Sequence, residues 1–261
     1  MTLLQVEDLS RRFGGVAAIE GLSFDLPAGA IHSIIGPNGA GKTTLLNLIT
    51  GVYAPTHGRI LLDGDDVTGL RPSDLALRGL SRTFQNLQVF MNMSAVENVM
   101  VGLHRHADTR LSSALLRLRG LGRAERESAA TAVGLLADVG LGEHADTETS
   151  AMPYGALKRL EIARALASRP RVLLLDEPAA GLNPAETQEI DRLIRRIAET
   201  GVTVVLVEHN MRLVMGVSDH ILVLNQGRLL ARGSAAEVRD NPDVIRAYLG
   251  NRAGQRRLTH A

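Results

Sequence analysis

The feature of this chain that most constrains its fold is a glycine-rich segment, GPNGAGKTT, at residues 36–44. A strand-sized apolar run precedes it, and the segment KTTLLNLIT that follows has helical spacing. A strand, a glycine-rich loop and a helix in this order match the G-x-x-x-x-G-K-[ST] pattern. The glycines let successive backbone N–H groups turn toward one point, where the helix N-terminus adds positive partial charge. This segment therefore predicts an α/β unit with a phosphate-binding loop.

The motif assigns roles to its individual residues. We expect the Lys42 ammonium to contact the β- and γ-phosphates of a nucleotide, and the Thr43 hydroxyl to be a ligand of Mg²⁺. The rest of the loop would surround the phosphates: Gly36, Pro37, Asn38, Gly39, Ala40, Gly41 and Thr44. A flexible glycine-rich turn is the alternative, and the flanking strand and helix favour the phosphate loop.

Two further strand-sized runs end in polar residues. The run VLLLDE at residues 172–177 ends in two acids, and VTVVLVEH at residues 202–209 ends in His209. Charged strand ends are common in parallel sheets, but open α/β sheets also place their ligand chemistry there. With the glycine-rich loop present, we expect Asp176 to hold Mg²⁺, directly or through water. We expect Glu177 to accept a proton from the attacking water.

The pattern of apolar residues changes along the chain. Short strands and turns occupy residues 3–35, and alternation of strands and helices returns near residue 170. The segments between them have helical spacing, and Ser94 with Glu97 predicts a capping box. We expect one domain, with a core at residues 1–85 and 169–250, a helical lobe at 86–168 and a C-terminal tail at 251–261.

Composition and charge exclude several classes of protein. The chain has 29 Lys and Arg against 28 Asp and Glu, so a net charge of +1 predicts no nucleic-acid partner. It has no Cys, which excludes a disulfide scaffold and fits a reducing compartment. No apolar run approaches the roughly 18–20 residues that cross a bilayer, and we expect no signal peptide. Residues 104–126 are locally basic, which predicts a solvated helix face or a surface near anionic lipid.

The sequence resembles the nucleotide-binding subunit of an ABC transporter over nearly its whole length. Gln85, in RTFQN, matches the Q-loop glutamine, and the resemblance implies that it contacts Mg²⁺ and the attacking water. Gly181-Leu182-Asn183-Pro184 matches the D-loop, which crosses a dimer interface in this family. His209 matches the switch histidine that contacts the γ-phosphate. Phe13 aligns with the aromatic residue that stacks on adenine, although a packed core phenylalanine is the alternative.

Within that family, the sequence is similar to the ATP-binding subunits of branched-chain amino acid importers. The segments that carry this similarity include RTFQNLQVFMNMSAVENVMVG, LDEPAAGLNPAET and NPDVIRAYLG. The resemblance implies a P-loop NTPase fold of ABC type, with a RecA-like core, an N-terminal antiparallel β part and an inserted α-helical lobe. The implied cofactors are ATP and Mg²⁺, and the implied activity is ATP hydrolysis coupled to transport.

The same resemblance implies partners and a location. The partners are transmembrane permease subunits, a second ABC ATPase subunit that is a paralogue or another copy, and indirectly a periplasmic solute-binding protein. The location is the cytoplasmic face of the inner membrane. Importers of urea, short amides or other amino acids use close relatives, so the solute stays open.

One segment departs from the family pattern. The signature loop, which reads LSGGQ or, in this subgroup, L-S-Y-G-Q, aligns with Met152-Pro153-Tyr154-Gly155-Ala156. In this family the loop binds the γ-phosphate of ATP held by the other subunit, and Tyr154 and Gly155 are retained. Proline offers neither a hydroxyl nor an N–H, and each lost hydrogen bond to a charged group costs about 1.5–3 kcal/mol. We hypothesise that the site completed by this loop is weak; the alternative is that the Gly155 N–H suffices.

Two other classes of protein share the phosphate loop. A soluble ABC ATPase acting on DNA or ribosomes would carry long coiled coils or two fused ATPase units, and neither is visible in the sequence. A small-molecule P-loop kinase would not need the Q-loop glutamine, the segment Asp176-Glu177-Pro178 or the switch histidine at these positions. These features favour the transporter subunit.

Overall fold

The computed structural model describes residues 1–103 and 121–248, with the backbone alone for residues 121–124. The basic stretch predicted at residues 104–126 lies mostly outside the described residues, and the predicted tail at 251–261 lies wholly outside them. Within the described residues, no helix combines the length and the apolar character that a membrane span requires.

The order of strands and helices is that of the α/β arrangement the sequence predicts. The strands are β1 (Thr2–Phe13), β2 (Val16–Pro27), β3 (Ile31–Ile35), β4 (His57–Leu62), β5 (Asp65–Asp66), β6 (Leu80–Arg82), β7 (Val172–Asp176), β8 (Thr203–Val207), β9 (His220–Asn225) and β10 (Arg228–Gly233). The α-helices are α1 (Lys42–Ile49), α2 (Pro72–Leu77), α3 (Ala95–Leu103), α4 (Leu121–Asp138), α5 (Tyr154–Ala167), α6 (Pro184–Glu199), α7 (Met211–Val217) and α8 (Ala235–Arg239). Residues 242–248 are also helical.

Two sheets organise these elements. An antiparallel sheet has the order β2-β1-β4-β5, and a six-stranded sheet has the order β10-β9-β3-β8-β7-β6. In the second sheet β8 lies between β3 and β7 and runs parallel to both. All residues of these three strands are buried. Their carboxyl ends therefore lie side by side at one edge, where a doubly wound sheet binds its ligands.

The alternating side chains of the central strands build two separate cores. Leu174 and Val205 face a core shared with α1 and the antiparallel sheet. Leu173 and Leu206 face the opposite side, where they pack with α3, α5 and α6. Successive side chains of a strand point to opposite faces, and each fully buried leucine or valine stabilises the fold by about 1.5–3 kcal/mol. Both faces of the sheet are thus covered, which fixes the strand ends in place.

The helices between β6 and β7 pack on one another, α3 against both α4 and α5. The predicted capping box is confirmed, because Ser94 N donates to Glu97 Oε2 at 2.7 Å and Glu97 N donates to Ser94 Oγ at 3.3 Å. The domain boundaries stay a prediction.

The sequence pattern does not predict three short elements: α2, β6 and α8. They have six, three and five residues, which is too short for a period to register. The strand β6 exists because its backbone pairs in parallel with β7. That pairing brings the residues just before Gln85 to the edge of the six-stranded sheet.

A buried asparagine offers a test of how the helices between β6 and β7 are held. Asn98 is fully buried, its Oδ1 accepts from Phe90 N at 2.8 Å, and its Nδ2 donates to Phe90 O at 3.0 Å and Thr149 Oγ1 at 3.0 Å. We expect Asn98→Leu to lower the free energy of unfolding by about 2 kcal/mol, because the Phe90 N–H and carbonyl and the buried Thr149 hydroxyl lose their partner.

Urea denaturation measures this change. The control is Thr131→Ala on the exposed face of α4, where the expected change stays within about 0.5 kcal/mol. Equal effects of the two substitutions would contradict the role of Asn98.

Candidate nucleotide-binding site

A cleft of 720 Å³ lies where the loop after β3 meets the ends of β7 and β8. The structure brings many of the predicted residues together there, along with five that the sequence analysis did not predict, at 16–18 and 226–227. The lining consists of Val16, Ala17, Ala18, Asn38, Gly39, Ala40, Gly41, Lys42, Thr43, Thr44, Gln85, Glu177, His209, Gln226 and Gly227. Residues 16–18 follow the turn after β1, and Gln226-Gly227 forms the turn between β9 and β10. The sequence pattern Gln-Gly predicts a hairpin turn there, but no motif assigns these residues to a ligand site.

Two glycines allow the loop of residues 36–44 to lie close to its neighbours. Gly41 precedes α1 with a left-handed φ of +102°, and a Cβ there would lie 2.7 Å from Ala18 O. At Gly36 a Cβ would lie 2.2 Å from Leu224 O. Any larger residue would push the loop off β2 and β9. The first turn of α1 therefore faces the cleft, and its N–H groups form a site for anions.

Lys42 places a buried positive charge inside this loop. The residue is 7% exposed, and Nζ donates to Gly36 O at 2.7 Å and to Pro37 O at 3.1 Å. Burial lowers the pKa of Lys42, and the nearby charges of Glu177 and Asp176 oppose that shift. Gly36 and Pro37 do not line the cleft themselves; their carbonyls hold the ammonium group at its edge.

Glu177 is held by two other predicted residues. His209 Nε2 lies 2.6 Å from Glu177 Oε1, and Gln85 Nε2 donates to Glu177 Oε2 at 3.2 Å. An ionised carboxylate only accepts hydrogen bonds, so in that state the His209 proton is on Nε2. The Glu177 backbone has φ +50°, which is uncommon for a residue other than glycine. This conformation lies directly after β7 and turns the carboxylate into the cleft.

The loop that carries Gln85 is fastened to α5 by buried charged side chains. Glu161 Oε1 accepts from Phe84 N and Gln88 N, both at 3.4 Å, and Lys158 Nζ donates to Gln85 O at 3.5 Å. Burial raises the pKa of Glu161. The position of Gln85 therefore depends on α5 as well as on β6.

Asp176 lies behind the cleft rather than in its lining, in a buried ion pair that the sequence analysis missed. Arg82 Nη2 donates to Asp176 Oδ2 at 2.7 Å, with the two side chains 6% and 5% exposed. Arg82 Nη1 also donates to Asn47 Oδ1 at 2.7 Å. Arg82 thus connects β7 to α1. In the sequence, only the position of Arg82, three residues before Gln85, places it near the predicted site.

Comparison with known proteins identifies the family. The ABC transporter family matches residues 19–180, and the branched-chain amino acid ATP-binding cassette transporter family matches residues 228–254. The high-affinity branched-chain amino acid transport ATP-binding protein BraF of Pseudomonas aeruginosa is 49% identical over 95% of this chain and 98% of its own length. The chain belongs to the ABC transporter family. It is an ABC ATP-binding domain, which confirms the resemblance seen in the sequence.

Further comparisons confirm the ABC fold. The high-affinity branched-chain amino acid transport ATP-binding protein LivG of Escherichia coli K12 is 47% identical over 95% of this chain and 98% of its own. The crystal structure of an ABC transporter's ATP-binding cassette in its ADP conformation superposes with a TM-score of 0.84 at 30% identity, over 96% of this chain and 99% of that one. The predicted fold class, an ABC-type P-loop NTPase with a RecA-like core, is therefore correct.

Besides Gly36 and Pro37, three residues predicted to bind nucleotide lie outside the cleft lining of this ABC domain: Phe13, Tyr154 and Gly155. Phe13 is 41% exposed. Its ring packs edge-on against Tyr53, with ring centroids 5.3 Å apart, and the Arg11 guanidinium lies 4.6 Å from the Phe13 ring centroid. Tyr154 and Gly155 form the start of α5, beside Gly181 and Glu186. Contact of Phe13 with adenine, and of Tyr154 and Gly155 with a second subunit's ATP, stay predictions.

The Arg82–Asp176 pair leads to a prediction about stability. We expect Arg82→Met to lower the free energy of unfolding by about 3–5 kcal/mol, because it leaves a buried carboxylate without its counter-charge. Thermal or urea denaturation of the purified chain measures the change.

The matched control is Arg171→Met, which breaks an exposed ion pair of 2.9 Å with Asp63. We expect that substitution to cost at most about 1 kcal/mol. If Arg82→Met lowers the free energy of unfolding by as little as the control does, the buried ion pair does not stabilise the fold as predicted.

Proposed function

We propose that this ABC ATP-binding domain is the ATP-hydrolysing motor subunit of a membrane importer for branched-chain amino acids. The observation that carries the proposal is the Glu177 carboxylate, held by His209 and Gln85 beside the phosphate loop. The names of BraF and LivG, both branched-chain amino acid transport proteins, support the choice of solute.

In the proposed reaction the cleft binds ATP through its phosphates. The N–H groups of residues 38–44 and the Lys42 ammonium bind the β- and γ-phosphates. Gln85 orients a water molecule whose oxygen attacks the γ-phosphorus, while Glu177 accepts the proton of that water. The bond between the β–γ bridging oxygen and the γ-phosphorus breaks, leaving ADP and phosphate. His209 contacts the γ-phosphate and keeps Glu177 aligned.

The donor set of the cleft fits Mg²⁺, a hard cation that prefers oxygen ligands. Thr43 supplies a hydroxyl and Gln85 an amide oxygen in the cleft lining, and Asp176 supplies a carboxylate from behind it, whose Oδ2 accepts a hydrogen bond from Arg82 Nη2. Bound Mg²⁺ would neutralise charge on the phosphates.

Phe13 and Val16 lie on the two sides of the turn after β1, which fits a place for adenine beside the cleft.

The proposal includes partners and a location. Two transmembrane permease subunits would receive the motion that ATP binding and hydrolysis produce, through the helical lobe at residues 86–168 next to Gln85. A second ABC ATPase subunit would complete each nucleotide site, with the D-loop at residues 181–184 in the interface. The subunit would lie on the cytoplasmic face of the membrane, opposite a periplasmic solute-binding protein.

Solute uptake tests this function. In a strain deleted for this chain, we expect the wild-type gene to restore uptake of labelled leucine and leave uptake of labelled urea unchanged. Lys42→Ala should not restore leucine uptake, because the phosphates lose their buried cation. Loss of urea uptake, with leucine uptake intact in the deletion strain, would assign the subunit to the alternative class of importer.

We further propose that, in a heterodimer with a paralogous ATPase subunit, the signature loop of this chain forms the weaker of the two composite ATP sites. Pro153 is the residue before α5, and its side chain makes no capping hydrogen bond. Serine there would supply a hydroxyl, restore an N–H for the partner's γ-phosphate and cap the helix. The signature loop also has glutamine where this chain has Ala156, but Ala156 is 2% exposed and a glutamine there would overfill the core. Pro153→Ser alone is therefore a better test than Pro153→Ser combined with Ala156→Gln.

We expect Pro153→Ser to raise the ATPase rate of the assembled transporter toward about twice the wild-type rate, because a second site becomes active. Steady-state phosphate release measures it. Pro153→Ala is the matched control, since it restores the N–H without the hydroxyl and should give a smaller increase. An unchanged rate for Pro153→Ser would contradict the asymmetry of the two sites.

A further inference from the structure

Glu208 is a buried acid at the end of β8 that neither the motif nor the proposed reaction uses. Its side chain lies inside the protein, with the residue 3% exposed, although it directly precedes the half-exposed His209. Among the described residues, no cation forms an ion pair with it. A carboxylate buried in this way is costly unless hydrogen-bond donors surround it.

The donors are three backbone N–H groups from two different segments. Glu208 Oε1 accepts from Ala179 N at 2.8 Å, on the segment after β7. Glu208 Oε2 accepts from His209 N at 2.9 Å and Asn210 N at 3.2 Å, on the segment after β8. Hydrogen bonds to a charged acceptor are shorter and stronger than those between neutral groups. One side chain therefore bridges the two segments.

The bridge lies where the backbone pairing of β7 and β8 stops. Glu177 N donates to Val207 O at 2.8 Å, and from there the two chains separate toward α6 and α7. Glu177 and His209 project from these separating segments, yet their side chains meet at 2.6 Å. Some interaction beyond the strand pairing must hold the two backbones at this distance, and the carboxylate of Glu208 supplies it.

We propose that Glu208 is a positioning residue for ATP hydrolysis, which holds the His209 backbone at the distance from Glu177 that their contact requires. The proposal rests on the proposed function of the cleft and adds a residue to it. Through Ala179, Glu208 also connects His209 to the segment that leads into residues 181–184. A displacement of that segment is then transmitted to His209.

The test is steady-state ATP hydrolysis by the complete transporter that carries Glu208→Gln. Glutamine has the same shape, but its NH₂ group cannot accept a hydrogen bond, so one half of the bridge is lost. We expect kcat to fall about 10- to 100-fold, the cost of a misplaced catalytic group. We expect the KM for ATP to change less than about twofold, because Lys42 and its loop are untouched. Unchanged kcat would overturn the proposal.

A double-mutant cycle separates positioning from a general loss of stability. In the His209→Ala background, Glu208→Gln should lower kcat little further, because the group that it positions is already absent. An equal loss in both backgrounds would overturn the proposal. Glu237→Gln, in the exposed capping box of α8, is the control and should leave kcat at the wild-type value.

Two further outcomes are decisive. If Glu208→Gln does not fold, Glu208→Asp keeps the charge but is one methylene too short for both segments, and it should give the same fall in kcat at constant KM. A wild-type kcat for Glu208→Asp would overturn the proposal. Absence of ATP hydrolysis by the wild-type transporter would overturn the proposed function itself, whereas an active transporter insensitive to Glu208 overturns only this role.

Discussion

The structure depends on one carboxylate and the two hydrogen bonds it accepts. Glu177 receives His209 Nε2 on one oxygen and Gln85 Nε2 on the other, and these three residues follow three different strands of one sheet. Only a parallel arrangement, with β8 beside β7 and β7 beside β6, brings those ends to one edge. The glycine-rich loop after β3 lies at the same edge, and its buried Lys42 adds a cation next to the acids. The order and direction of the strands therefore determine which side chains meet at the proposed reaction site.

The contacts around this carboxylate reach both halves of the predicted domain. Arg82 joins β7 to α1 through Asp176 and Asn47, within the sheet side of the molecule. Glu161 joins the loop of Gln85 to α5, whose first residues, Tyr154 and Gly155, align with the family's signature loop. A shift of α5 therefore changes the position of Gln85 over Glu177. This path is a physical basis for coupling between the proposed nucleotide site and α5.

The sequence predicts the elements whose signal is local. The phosphate loop, the apolar runs of β7 and β8, and the box of Ser94 and Glu97 each lie within a few neighbouring residues, and the structure has all of them. It does not predict Arg82–Asp176, because those residues are 94 positions apart and no period connects them. The three residues of β6 form a strand only because β7 lies beside them. Tertiary contacts thus determine the short strands and long-range ion pairs that the local sequence pattern does not predict.

The central claim is that Glu177, held by His209 and Gln85, is the base that hydrolyses ATP in this cleft. The most direct measurement compares ATP affinity and ATP turnover for the wild-type transporter and Glu177→Gln. Glutamine keeps the shape but cannot take a proton, so the account predicts turnover at least about 100-fold lower, with ATP still bound at near wild-type affinity. Turnover equal to wild type would contradict the claim, because some other group would then have to accept the proton.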